Sequence, residues 1–379
     1  MKKILVCLDG RIGFGGTFIA YWNLYGDLIK ENQIDFVTFR KQDYPNDSEI
    51  VQKISSFNSV VYEILRDQFI KEQYRQIDQI LSNKKYDVIH INSSALLYFL
   101  IPITAASKRK VPIKIVHAHS NGEVKSRWKR WVMNTFFKPY IVKFATHFLA
   151  CSVEAGEVKF TKPLFSKKGI VLNNAIDVDR FSGAKHYRAE VRTKLGIEIE
   201  QILLGSVGRC EPEKNQIFLI DVLAEMLNCG KDAKLLLIGE GSQRQDCIRR
   251  TAELKVSDRV IFLDNQTNVE YWLSALDVFL FPSFYEGFGI AALEAQAANL
   301  PVICSHGISR KVNVTGNVIF MNQGDTAQEW AYQVQRSLKT YYQDGSEKIK
   351  QAGYDIHSSA LTLMKIYNSG ETENESINS

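Results

Sequence analysis

No apolar run in this chain is long enough to cross a bilayer. The longest, Ala95 to Ala106, has twelve residues with Pro102 among them, whereas a spanning helix needs roughly 20, so no transmembrane helix is expected. Cysteine is sparse: Cys7, Cys151, Cys210, Cys229, Cys247 and Cys304 are scattered without a C-x-x-C pair, and Met1 to Cys7 reads as a first strand, not as a secretory leader. A disulfide scaffold is excluded and a reducing, cytoplasmic compartment is expected. No Cys/His cluster has zinc spacing, and a lone Asp177-Val178-Asp179 lies in a polar stretch without a supporting pattern, so no metal ligand is assigned. Helix-turn-helix, zinc-finger and RNA-binding signatures are missing, which argues against nucleic acid. The glycines of Asp9-Gly10-Arg11-Ile12-Gly13-Phe14-Gly15-Gly16 do not spell G-x-G-x-x-G and no ribose-binding acid follows at the right distance, which argues against a nicotinamide cofactor.

What is present is an ordinary globular composition, 45% hydrophobic and 23% charged over 379 residues, long enough for two domains. Short β-rich runs at 3–8, 60–62, 88–91, 113–117, 148–151 and 169–172 alternate with stretches long enough for helices. A second series follows at 202–207, 234–238, 260–263, 278–281, 302–304 and 317–320. Such alternation predicts parallel sheets covered on both faces. The expected fold is therefore α/β, two doubly wound Rossmann-like domains facing across a cleft, with ligand at the strand ends. The expected boundaries are 1–175 for the first domain, a polar linker over 176–198, and 199–351 for the second. A helix near 352–368 is expected to pack back on the first domain, followed by a disordered tail from 369 to 379.

Chemistry concentrates in the second half. An apolar strand ending at Phe281 runs into a loop with Glu286, Gly287, Phe288 and Gly289, and then into an Ala-rich helix beginning near Ile290 and carrying Glu294. Uncapped N–H groups at that helix start can hold a pyrophosphate. Glu286, in the loop, can accept hydrogen bonds from sugar hydroxyls, and Glu294, about two turns further on, can reach a ribose. After the strand 202–207, Gly208-Arg209-Cys210-Glu211-Pro212-Glu213-Lys214-Asn215 places two cations where a departing diphosphate would develop negative charge. Two histidines, His117 and His119, end the strand 113–117, while His90 reads as supporting structure. Gly239, in Leu237-Ile238-Gly239-Glu240-Gly241, and Gln266, in Phe262 to Asn268, close strands of the second series with turns.

The segment Phe281 to Pro301 resembles the E-x7-E signature of retaining glycosyltransferases of family 4, which adopt the GT-B fold. Arg209 and Lys214 match that family's G-R-x(4)-K-N pattern, and Gly15-Gly16 matches its glycine-rich loop. Val116-His117-Ala118-His119-Ser120-Asn121, Glu294-Ala295-Gln296-Ala297 and Gly353-Tyr354-Asp355-Ile356 are similar to the branch that builds bacterial exopolysaccharide and capsule units. The resemblance implies a retaining, metal-independent hexosyltransferase using a nucleotide sugar, UDP-linked, as donor and a lipid-linked saccharide as acceptor, with no cofactor. In it, Glu286, Arg209, Lys214 and His119 would be catalytic. Gly15, Gly16, His117, Gly287, Phe288, Gly289, Ile290, Glu294, Gly239 and Gln266 would bind the donor, with His117 and His119 open as alternatives for the sugar or acceptor contact. It further implies a front-face route, the departing phosphate oxygen helping to deprotonate the acceptor. Two positions depart from the pattern: Asn173-Asn174-Ala175-Ile176-Asp177 stands where the family reads N-G-I-D, and G-G-x-x-E is missing from His306 to Asn313. A non-catalytic partner subunit of the same shape is the alternative reading.

Net charge is +5, yet Lys108, Arg109, Lys110, Lys114, Lys125, Arg127, Lys129, Arg130, Lys138 and Lys143 face only Glu123 between Ser107 and Phe148. The aromatics interleaved there, Trp128, Trp131, Phe136 and Phe137, either fill the first domain's core or lie, with the cations, against the inner face of an anionic membrane. Peripheral membrane attachment is one expectation and core packing the other.

Overall fold

The computed structural model describes residues 1–12, 16–119, 126–340 and 344–369. They divide into two units, Met1–Ala175 with the residues from Ile356 onward, and Ile176–Asp355.

In the first unit the strands are β1 (Lys3–Leu8), β2 (Gln33–Arg40), β3 (Val61–Leu65), β4 (Val88–Ser93), β5 (Ile113–Ala118), β6 (His147–Ala150) and β7 (Gly169–Val171). All are parallel, in the order β3-β2-β1-β4-β5-β6-β7. β1 and β4 are buried along almost their whole length, as strands covered on both faces must be. The helix Ile356–Asn368 belongs to this unit, with Leu363, Ile366 and Tyr367 buried beside Ile4, Val6 and Leu8. The expected tail beyond Ser369 and the glycine Gly15 lie outside the described residues.

β2 escapes a sequence reading because Asp35 and Thr38 interrupt its apolar run. Both are fully buried. The Asp35 carboxylate accepts from Lys84 Nζ at 2.5 Å, from the Tyr86 hydroxyl at 2.6 Å and from the Val60 N–H at 3.0 Å, so its desolvation is offset by three donors. Asp35→Ala is expected to cost roughly 2–3 kcal/mol, less than a fully enclosed pair because Lys84 can regain water. Urea unfolding would measure it, and a change within about 0.5 kcal/mol, the ordinary surface value, would show that the carboxylate does not hold this edge together.

In the second unit β8 (Ile202–Val207), β9 (Ala233–Ile238), β10 (Val260–Leu263), β11 (Val278–Phe281), β12 (Val302–Cys304) and β13 (Val318–Phe320) form a parallel sheet in the order β10-β9-β8-β11-β12-β13. Residues 176–198 are not a linker but part of this unit. Helices Val178–Gly183 and Arg188–Lys194 bury Val178, Phe181 and Val191 in its core. The polar composition misleads because the arginines work inward. Arg188 meets Asp277 at 2.5 Å, while Arg192, itself buried, meets Asp277 at 3.3 Å and donates to the carbonyls of Ala275, Glu198 and Gln201. They cap the lower ends of β8 and β11, where carbonyls would otherwise be orphaned. Ile176 N–H donates to the Tyr354 carbonyl at 2.9 Å and bridges Asp355, so the unit's two ends lie together.

Candidate active site

In a doubly wound sheet the crevice opens where strand order reverses, because the loops leaving the two adjacent strands turn to opposite faces. In the second unit that point lies between β8 and β11. The loop after β8 carries Arg209 and Lys214; the loop after β11 carries Glu286. The two loops are tied together by the Phe284 N–H donating to the Glu213 carbonyl at 2.9 Å. Across this seam the Lys214 ammonium pairs with Glu286 Oε1, which also accepts from the Ser283 hydroxyl at 3.1 Å. Both side chains are largely sheltered, so their attraction is less screened than on the surface. Arg209 is the opposite case: it is exposed and, among the described residues, is paired with Glu213, four residues on, at 2.8 Å, a weak surface tie that a ligand can displace.

The helix Ile290–Ala297 starts at Gly289, whose φ of +97° only glycine takes without strain, and no side chain caps it. The backbone N–H groups from Gly287 to Ala291 donate to no described residue. They form a short run of open donors at the positive end of a helix. On this helix Glu294 is buried, and its carboxyl has no hydrogen-bond partner among the described residues. Burial pushes its carboxyl up to about 8; the Arg180 guanidinium pulls against that and Glu270 adds to it. A buried carboxyl without a donor is unusual and awaits one.

Around these, Gly239 has φ +131°, and a Cβ there would sit 2.2 Å from the Gly208 carbonyl oxygen. The turn after β9 thus packs directly on the loop that carries Arg209. Gln266 is held from the side, its amide oxygen accepting from the Trp272 indole at 3.0 Å. Phe288 stacks on Tyr354 at 4.9 Å.

In the first unit the three histidines form one network with residues that motif reading passed over. His90 Nδ1 meets the hydroxyls of Tyr25 and Tyr367, each at 2.8 Å, and His90 Nε2 meets His117 Nδ1 at 3.3 Å. Asn92 donates to the Tyr25 hydroxyl at 2.9 Å, which turns its carbonyl oxygen to His119 Nε2 at 3.0 Å. His119 Nδ1 lies 3.4 Å from the Asn174 side-chain oxygen, so both ring nitrogens face amide oxygens and a neutral ring donates to one of them at a time. Burial holds all three imidazoles neutral, His119 down at about 3 and the other two well below the ordinary range. His117 is buried inside this network, whereas His119 is half-buried. Of the two alternatives His119 is thus the one with an accessible edge. Gly16 is the first residue of the helix Gly16–Glu31. The signal for the missed Asn92 was its spacing: His90 and Asn92 share one face of β4, as His117 and His119 share one side of the β5 end.

Residues 188–355 match the protein family described as Glycosyl transferases group 1. Glycosyltransferase EpsF of Bacillus subtilis (strain 168), so named, is 26% identical over 97% of this chain and 96% of its own length. A UDP-Gal:alpha-D-GlcNAc-diphosphoundecaprenol alpha-1,3-galactosyltransferase of Escherichia coli is 25% identical over 63% of this chain and 61% of its own. The crystal structure of Anabaena Alr3699/HepE in complex with UDP and glucose superposes with a TM-score of 0.72 at 17% identity, covering 96% of this chain and 98% of that one. The WaaG glycosyltransferase of lipopolysaccharide biosynthesis superposes with a TM-score of 0.65 at 16% identity, over 97% of this chain and all of that one. The chain has the GT-B fold, and its second unit carries a glycosyltransferase group 1 domain.

Proposed function

We propose that this protein transfers a hexose, with retention of configuration, from a UDP-sugar to a lipid-linked saccharide at the cytoplasmic face of the membrane, in exopolysaccharide or capsule synthesis. The observation that carries the reading is the Lys214–Glu286 pair set across the switch point between β8 and β11. It places a cation and a hydrogen-bond acceptor side by side where a diphosphate and its sugar would meet. In this reading the open N–H groups from Gly287 to Ala291 hold the pyrophosphate and the Glu294 carboxylate takes the ribose hydroxyls. Lys214, joined by Arg209, stabilises the charge that grows on the leaving diphosphate more than it stabilises the bound donor. Glu286 orients the sugar, and the half-buried, neutral His119 is placed to contact a sugar or acceptor hydroxyl. The departing phosphate oxygen takes the acceptor proton in a front-face displacement. The UDP in the HepE complexes and the diphosphoundecaprenol acceptor in the E. coli relative's name support the choice of base and acceptor class.

The test is a panel of nucleotide sugars offered to purified protein, read as thermal stabilisation and then as turnover. A ligand at a hundred times its Kd adds about 2.7 kcal/mol to the folded state. UDP-sugars should stabilise and be consumed when a lipid-linked acceptor is present, and activity should survive EDTA because lysine, arginine and helix amides supply the positive charge. A strict requirement for added manganese would defeat the metal-free reading, and stabilisation without consumption by any acceptor would favour a non-catalytic partner subunit.

A further inference from the structure

Residues Arg127–Val132, Met133–Phe137 and Lys138–Phe144 form one continuous helical stretch with a π-helical turn at its centre. Its inner side is already satisfied: Ile141 is fully buried, and Met133, Tyr140, Val142 and Phe144 pack on the first unit's core. A helix resting on a core needs only that one apolar stripe. Yet Trp128, Trp131 and Phe136 point outward, 69%, 52% and 57% exposed. Core packing, one of the two roles open to these aromatics, is therefore not theirs.

Nor are they scattered. Trp128 and Trp131, three apart and so on one face, stack at 5.1 Å, and Trp131 meets Phe136 edge to face at 5.9 Å. The second contact depends on the π turn. In an α-helix a spacing of five turns the side chain about 140° around the axis, onto another face. The wider turn, closed by the Lys138 N–H on the Met133 carbonyl, brings Phe136 back beside Trp131. The extra residue thus gathers three large rings into one patch that no described residue covers. Such a patch marks a contact surface.

Charge selects the occupant. The patch begins at Arg127 and is followed by Lys143, both exposed; of the ten cations between Ser107 and Phe148, Lys108 and Arg109 are held by Asp78, and the sequence around the rings still carries cations against the single carboxylate Glu123. Indole rings prefer the boundary between hydrocarbon and headgroups, and cations prefer anionic headgroups. We propose that this π-kinked helix is a docking surface for an anionic lipid bilayer, its rings entering the headgroup layer and its cations meeting the lipid phosphates. The inference deepens the function proposed above by naming where the lipid-linked acceptor is met, but its test uses no sugar.

The experiment is co-sedimentation of the full chain with phosphatidylcholine vesicles and with an equal mixture of phosphatidylcholine and phosphatidylglycerol. The mixed vesicles should retain the protein and shift its tryptophan emission to the blue. High salt should release it, because screening shortens from about 10 Å at 0.1 M to about 3 Å at 1 M. Trp128→Ala/Trp131→Ala should weaken retention by about tenfold or more while leaving the thermal midpoint and UDP binding unchanged. Phe136→Ser offers a second variant if that pair folds poorly. Equal, poor retention on both vesicles overturns the proposal, as does a double alanine variant that sediments like the wild type. Self-association in gel filtration that the double variant abolishes, without vesicle binding, would hand the patch to a second copy of the chain. If vesicles bind but no nucleotide sugar does, the docking stands and the proposed transfer falls.

Discussion

Lys214→Ala is expected to lower kcat by about a hundredfold to a thousandfold, the scale seen when a single charge-stabilising donor is removed from an active site. KM for the donor should move far less. In the proposed reaction the reason lies in when the charge is needed: the ammonium already pairs with Glu286 in the free protein, and its further worth would appear as the diphosphate departs. Removing it also leaves the sheltered Glu286 carboxylate, among the described residues, with the Ser283 hydroxyl alone, so some loss of thermal stability should accompany the loss of rate. Glu286→Gln should cost about ten- to a hundredfold in turnover while largely preserving UDP affinity. Because the two groups act as one unit, the double variant should fall short of the product of the single losses. Steady-state kinetics of the four proteins decides it. A pure rise in KM with kcat unchanged would make Lys214 a uniform binder, and strict additivity would mean that the pair is not coupled.

Glu294→Gln should uncouple stability from pH. In the wild type the buried carboxyl stays protonated up to about 8, against an ordinary value of 4.5. Between those two values the unfolded chain has released a proton that the folded chain still holds. Glu294 therefore stabilises the fold fully below about pH 4.5 and loses that contribution as pH rises through about 8. The loss amounts to roughly 3–5 kcal/mol. Glutamine keeps the shape and cannot ionise, so the variant should match the wild type near pH 4.5 and exceed it near pH 8.5. At the same time it should bind UDP about ten- to a hundredfold more weakly, having exchanged a charged acceptor for a neutral one. Since ribose hydroxyls favour the ionised form, UDP binding by the wild type should release a proton near neutral pH, visible as a buffer-dependent binding enthalpy. Parallel stability curves for the two proteins would remove the basis of this assignment.

Much of this was legible before any coordinates, for stated physical reasons. β1, β8 and β11 are largely buried and appear as mostly apolar runs. Glu286, Arg209 and Lys214 stand in loops immediately after such runs, where chemistry in this fold class is placed. What could not be read were relations across long separations. The Lys214–Glu286 bond joins residues 72 apart, and the partners that make Asp35 tolerable inside β2 are 49 and 51 residues downstream. That His117 is enclosed while His119 keeps an edge depends on the register of β4 against β5, which sets Asn92 opposite His117. Helices 178–183 and 188–194 were hidden by composition, because arginines that cap a sheet from below look like solvated surface.

The return of Ile356–Asn368 to the first unit has a consequence for synthesis. The second unit, with its ends hydrogen-bonded to each other through Ile176, Tyr354 and Asp355, has every residue it needs before the last helix is made. The first unit does not, although its sheet is translated first. At about 5–20 residues per second the ribosome spends roughly ten to forty seconds on the intervening segment. Throughout that interval the surface that Leu363, Ile366 and Tyr367 will cover, including the Tyr25–His90 pair, stands open. The amino-terminal half is thus the late finisher of its own chain. A nascent chain stalled before Ile356 should be protected from protease in its second unit and sensitive in its first.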